Sequence, residues 1–266
     1  MTSDAIQAAA PRANFDVGKV LGLTFAAIGR NWMTLVILAI PLTILPLYLQ
    51  ASLMAPFMPA PGVTPDPRGL LAAMGPIFLV SIPIGLVLQP LFEASVAWLV
   101  WADESGARPD AWTALGASGR QFGWVVLAAI LRGVLAVLGM ILFIIPGVIV
   151  WLAFCLALPV CVVEKRNAVD AFGRSRDLTR GQRWRLCLLF FVYIILAMIP
   201  GLIVGAIGGL ATVMFADTGR SINLLLSALS SGFSGILLYT GVGCAYVELR
   251  KLKEGAGAMN VAQVFA

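Results

Sequence analysis

Glu93 and Arg132 are lone charges set deep within apolar runs. A carboxylate or guanidinium in such a place needs a partner or a water-filled cavity. Glu93 stands ten residues before Asp103, and Arg132 stands eleven after Gln121. At about 1.5 Å per helical residue, both lie roughly 15 Å from the same surface. Their runs are consecutive and oppositely directed, so the spacing predicts an ion pair between Glu93 and Arg132. A closed pair locks adjacent hairpins together; one reached by water serves transport or proton relay.

The second charge-bearing feature is "EKRNAVDAFGRSRDLTRGQRWR", Glu164 to Arg185. It holds ten of the chain's 31 charged residues in 22 positions, seven basic and three acidic. One reading is that these arginines only set topology and solvate a loop. The other is a binding surface, in which Arg166, Arg174, Arg176 and Arg180 contact phosphates of anionic lipid head groups or meet an acidic protein partner. The planar guanidinium donates bidentately to phosphate, which suits that role. The chain carries 14 Arg to 4 Lys throughout, so the choice of Arg is not special to this stretch.

Other chemistries lack their residues. Histidine is absent, which removes the commonest general base and imidazole metal ligand. Cys155, Cys161, Cys187 and Cys244 lie inside apolar segments without metal-ligand or redox spacing and read as small packing residues. No P-loop, GxGxxG, HExxH, GxSxG or paired-carboxylate site occurs. Only Asp103, Glu164 and Glu248 approach a common plane, too few for a membrane enzyme's acidic cluster. The expectation is a protein without catalytic residues, metal or cofactor, and with no nucleic-acid role.

The elements that position these residues follow from composition. At 60% hydrophobic and 12% charged, with mean hydropathy +0.96, the chain is no soluble domain. Six runs suffice to cross a bilayer, at about 33–51, 75–101, 124–145, 147–163, 186–213 and 222–247. Pro76, Pro83, Pro90 and Pro200 predict tilt or irregularity in the second and fifth. The "IPGV" at Ile145–Val148 predicts a tight turn between the third and fourth. The Pro-rich stretch Met54–Gly69 reads as an irregular external segment.

Orientation follows from Lys and Arg. The N-terminal segment, the 102–123 loop, the 164–185 loop and the C-terminal tail hold 3, 2, 7 and 3 of them, against Arg68 and Arg220 alone on the opposite side. Both termini are expected in the cytoplasm. Trp32, Trp98, Trp101, Trp112 and Trp184 fall near the same boundary, where indole prefers to sit. The first run follows about 30 residues bearing Arg12, Lys19 and Arg30 with no cleavage site, so it is expected to stay as an anchor.

A weak repeat runs through the chain. "FAAIGRNWMTLVILAI" (Phe25–Ile40) and "LGASGRQFGWVVLAAI" (Leu115–Ile130) share six of 16 positions, and "ALGAS" (Ala114–Ser118) aligns with "AFGRS" (Ala171–Ser175). Each unit reads as a short interfacial helix, a boundary aromatic (Trp32, Phe122, Trp184) and a hairpin returning to Asp103, Glu164 or Glu248. In the third helix Ala168, Ala171, Phe172, Ser175, Leu178 and Thr179 share an arc. In the first, Val17, Val20, Leu21, Thr24 and Ile28 do so, with Asn14 as N-cap. "GLIVGAIGG" (Gly201–Gly209) and "SGFSG" (Ser231–Gly235) are small-residue patterns that favour close helix packing, within the chain or between copies.

"FDVGKVLGLTFAAIGRNW" (Phe15–Trp32) and "PGVIVWLAFCLALPVCVVEKRNAVDAFGRSRDLTRGQRWR" (Pro146–Arg185) resemble the membrane domain attached to some bacterial glycerophosphodiester phosphodiesterases. The likeness rests on Pro146, Gly147, Glu164, Ala171, Ser175, Leu178, Gly181 and Trp184. It implies a polytopic helical domain. The phosphodiesterase chemistry of that family sits in a separate soluble barrel; with 19 residues after the last expected span, the expectation is a membrane domain without that barrel.

The sequence is thus read as an all-α, polytopic helical bundle in one integral membrane domain, residues 1–266. It has six transmembrane helices and three short cytoplasmic interfacial helices, with 1–13 a disordered tail and 254–266 a flexible one. The expected setting is the bacterial cytoplasmic membrane. The expected role is a scaffold or accessory protein binding anionic lipid, a protein partner or another copy through its Arg-rich face. The rival is a small transporter or lipid-handling protein built on Glu93 and Arg132, framed by proline-broken spans.

Overall fold

A computed structural model describes residues 15–54, 75 and 78–255. The tail 1–13, Asn14, Arg68, Pro76, Met54–Gly69 beyond Met54, and the C-terminal tail beyond Gly255 lie outside the described residues. Among the described residues every regular element is helical. Six helices are long and apolar enough to cross a membrane: Val17–Met54, Phe78–Glu104, Phe122–Ile141, Ile145–Val163, Arg183–Phe215 and Thr218–Glu254. The protein is an all-α, multi-pass membrane protein.

The chain enters through α1 (Val17–Ala39), whose N-cap is Asp16, its carboxylate accepting from the Gly18 and Lys19 amides. Phe15 before the cap and Val20 inside it are both buried, a hydrophobic staple that sets the entry angle. A π-helical turn, Ile40–Ile44, leads into α2 (Leu45–Met54). Pro41 lacks the N–H that regular pairing needs, and the wider turn absorbs the fault. The second span repeats the device, with a π turn at Ile84–Leu88 directly after Pro83, before α3 (Gln89–Glu104).

The helices α4 (Ala111–Arg120) and α5 (Phe122–Leu142) follow, then α6 (Ile144–Phe154) and α7 (Ala157–Val163). The reversal after α5 falls at Phe143, the one extended residue there (φ −164, ψ 147), and not at "IPGV". Pro146 instead sits in the first turn of α6, where a missing N–H costs nothing. Gly147 is needed there: a Cβ on Gly139 would lie 2.9 Å from its Cα, so the two backbones touch. The short α8 (Ala168–Thr179) then leads to α9 (Arg183–Glu254). The helical backbone of α9 doubles back on itself: Ser234 reaches the Ala197 carbonyl, and Gly208 lies against Asn223.

Three breaks at corresponding places organise the bundle, the third widened to residues 180–182. Asn31 (φ −119, ψ 20), Gln121 (φ −105, ψ 16) and Gln182 (φ −119, ψ 7) each interrupt a helix between an amphipathic segment and a span. The amphipathic segments start at Asp16, Asp110 and Asn167, whose side chains each accept from backbone N–H groups. Eight residues after each cap stands a fully buried hydroxyl: Thr24, Ser118 and Ser175. From cap to break the second unit is four residues shorter, about one helical turn, so the same face still turns inward.

The buried face of α8 consists of Ala168, Ala171, Ser175, Leu178 and Thr179, with Phe172 at its edge against Phe154. In the first segment Val20, Thr24 and Ala27 are buried. The first segment lies across the charged end of the bundle. Phe15 is held by Arg185, Lys19 by Glu248, and Arg30 by Asp103 and Glu104. Thus α4 packs on α3, α8 on α7, and the start of α1 on the end of α9. The three units close into a ring.

Candidate functional site

Glu93 and Arg132 meet inside the bundle. Both guanidinium nitrogens donate, Nη1 to Glu93 Oε1 at 2.6 Å and Nη2 to Oε2 at 2.7 Å. The carboxylate side chain is 4% exposed and the arginine 20%. A bidentate fork is the geometry in which a buried ion pair best offsets its desolvation. One turn along α3, Gln89 accepts from the Tyr239 hydroxyl at 3.0 Å, and Tyr239 packs edge-on against Phe92. A cavity of about 430 Å³ opens beside them, lined by Gln89, Tyr239, Ser230, Ser231 and Ser234 but by neither charge. The hydroxyls Ser230, Ser231, Ser234 and Tyr239 all come from the sixth span, and what spacing alone could not show is that they meet Gln89 of the second.

At the charged end, acids and bases from all three units interlock. Glu164 takes Arg166 at 2.9 Å, Arg174 at 3.2 Å and the Tyr246 hydroxyl at 3.1 Å. Arg174 also pairs with Glu254, which in turn holds Arg250. Lys251 reaches Glu104 at 3.0 Å. Lys165 carries φ 52, the left-handed turn that swings the chain out of α7 and starts α8. The boundary aromatics Trp32, Phe122 and Trp184 are all exposed.

The four arginines of the 164–185 stretch divide. Arg166 and Arg174 are spent on carboxylates. Arg176 and Arg180 have no carboxylate partner among the described residues. They line a concavity of about 390 Å³ together with Gly181, Arg183 and Trp184. Gly181 makes the tight turn there with φ 84, a conformation that side-chain-bearing residues resist. Arg183, unremarked by sequence reasoning, has a buried Nε without a hydrogen-bond partner.

The remaining sequence signals divide between packed and open positions. Cys155, Cys161 and Cys244 are buried and free, and among the described residues no group of three or more His, Cys, Asp or Glu could hold a metal. Gly232 lies against Ile44 and Gly235 against Phe92, so "SGFSG" packs within the chain. Gly201, Gly205 and Gly209 have open space where a Cβ would stand.

No curated protein and no solved structure matches this chain. From the residue before the first N-cap to the last buried turn of the sixth span, residues 15–249, it matches the domain of unknown function DUF7847, and it belongs to that family.

Proposed function

We propose that this chain is a non-enzymatic scaffold or accessory protein of the bacterial cytoplasmic membrane, with both termini in the cytoplasm. In this reading its Arg-rich face binds anionic lipid head groups, or an acidic partner. The orientation rests on the excess of Lys and Arg at one end of the bundle. The likeness of Pro146–Arg185 to phosphodiesterase-associated membrane domains agrees with a membrane role without catalysis.

One observation carries the reading. Asp103, Glu104, Glu164, Glu248 and Glu254 are engaged with Lys19, Arg30, Arg166, Arg174, Arg250 and Lys251, while Arg176 and Arg180 line a concavity. Each basic residue near an anionic membrane surface contributes about 1 kcal/mol of attraction. The test is native mass spectrometry of gently extracted protein. The R166Q/R174Q/R176Q/R180Q variant should retain less anionic phospholipid, and unchanged retention would sink the proposal.

A second reading, a small transporter or lipid-handling protein, draws on the cavity bounded by Gln89 and Tyr239 and on the π turns of the first two spans. That the cavity is not lined by Glu93 or Arg132 weighs towards the scaffold. Solute uptake into proteoliposomes that disappears in Y239F would reverse that weighting.

A further inference from the structure

Two concavities meet at the junction of α8 and the fifth span. One is the arginine-lined space of Arg176, Arg180, Arg183 and Trp184. The other, of about 330 Å³, is apolar and runs between α6 and α9, lined by Val148, Ile149, Leu152 and Cys187. Arg183 and Trp184 line both. The shared wall therefore has guanidinium on one side and hydrocarbon on the other, the profile of an amphiphile with an anionic head.

We propose that this junction is a discrete binding site for one anionic glycerophospholipid, its phosphate on Arg176, Arg180 and Arg183 and one acyl chain in the α6–α9 groove. The inference rests on the lipid-binding reading above and deepens it, from a charged face to one occupied site.

Three independent features support it. The first is charge complementarity. Arg176 and Arg180 lack carboxylate partners, unlike Arg166 and Arg174 on the same stretch. The second is Arg183, which lines both concavities, so that one guanidinium-bearing side chain borders the arginine-lined space and the apolar groove at once. The third is the anchoring of the loop. Lys253 on the last helix donates to the Arg180 carbonyl at 3.1 Å, so a cationic side chain both adds to the local field and holds the turn in place. Trp184, 79% exposed, stands at the rim, where an indole meets the glycerol level of a bilayer.

The occupant is a phospholipid and not free phosphate, because the apolar groove shares a wall with the arginines. A soluble anion would leave Val148, Ile149 and Leu152 without a role in binding.

The test uses the full chain in nanodiscs of equal parts phosphatidylglycerol and phosphatidylcholine, read by native mass spectrometry after partial delipidation. The wild type should retain one phosphatidylglycerol. R176Q/R180Q/R183Q should lower that occupancy about tenfold or more, the loss of roughly 1.4 kcal/mol or more of binding. C187W fills the groove without touching charge and should lower it as well. Inorganic phosphate at millimolar concentration should not displace the lipid.

Loss in the triple-Arg variant with full retention in C187W overturns the two-part site, leaving head-group attraction alone. Displacement by inorganic phosphate overturns it in favour of an anion site. Full retention in the triple variant, with loss in R166Q/R174Q, overturns this location while the lipid-binding face survives. A wild type that retains no phosphatidylglycerol overturns both. Each variant is checked by thermal unfolding, so that a misfolded protein is not scored as a lost site.

Discussion

Lys19 Nζ lies 2.7 Å from Glu248 Oε1, joining residues 229 positions apart. The contact places the first amphipathic segment on the last span, as α4 sits on α3 and α8 on α7. Glu248 is 5% exposed, and its other oxygen, Oε2, is buried without a hydrogen-bond partner. The ring of three units is thus closed by one hydrogen-bonded ion pair over an under-satisfied carboxylate. Lys19 itself is 55% exposed, so solvent screening keeps its share small.

The ring closure predicts that K19Q destabilises the protein by about 1–2 kcal/mol, chiefly by stranding the carboxylate. K19Q/E248Q should recover part of the loss. Thermal unfolding in detergent measures both. A double variant no better than the single would mean that Glu248 gains nothing from Lys19.

The bidentate contact of Glu93 and Arg132 predicts strong asymmetry between single and double variants. E93M or R132M alone leaves a charge uncompensated in a low-dielectric interior, at a cost of about 3–5 kcal/mol. E93M/R132M removes both charges and should lie close to wild type. Chemical denaturation of the four proteins forms a double-mutant cycle. A double variant as unstable as the singles would give the pair a packing role that Met cannot fill.

How much of this was legible in the sequence depended on dimension. Depth along a helix is a count of residues, so Glu93 and Arg132 could be set at one level from Asp103 and Gln121. The six spans and the amphipathic faces of the first and third short helices follow from the same one-dimensional periodicity. What needed three dimensions was hidden. Arg174 differs from Arg176 in its contacts because it pairs with Glu254, which arrives from the far end of the chain. Sequence pattern also mislocated the hairpin turn: Pro146 and Gly147 read as the turn itself, yet they begin the helix after it, because a proline is cheap in a first turn. Asp16, and not Asn14 as the spacing suggested, caps α1, with Phe15 buried just before the cap.

The repeat predicts equal behaviour at three unrelated-looking positions. Ser118 shares a 2.6 Å hydrogen bond with Ser95, Ser175 donates to the Ala153 carbonyl at 2.8 Å, and Thr24 meets Tyr193 at 2.7 Å. T24V, S118A and S175A should each cost about 0.5–1.5 kcal/mol, the net worth of one buried hydrogen bond. Thermal unfolding of the three variants checks it. One position costing nothing would remove that unit from the repeat.

The antiparallel register of the fifth and sixth spans predicts a contrast between two glycines. A Cβ on Gly241 would run into the ring of Tyr193, while one on Gly205 would meet nothing within 4 Å. G241A should cost about 1–3 kcal/mol through overpacking. G205A should be neutral or stabilising by about 0.5–1 kcal/mol, since alanine is the better helix former. Equal losses at both positions would contradict the register.

Asp110 supplies the pH dependence. Its carboxylate, the N-cap of α4, accepts from the Thr113 hydroxyl and from the Thr113 amide at 3.0 Å, and these bonds hold it below the ordinary carboxylate range. The folded pKa is depressed, so its contribution is fully present above the unfolded value of about 3.9 and is lost as pH falls through the lower, folded one. Hydrogen exchange at the Thr113 amide should therefore stay protected down to about pH 4. It should weaken only at more acid pH. D110N should keep most of that protection, because the amide oxygen still accepts, and should abolish its acid dependence. Protection that stays unchanged well into the acid range would show that α4 is held by its packing on α3 and not by its cap.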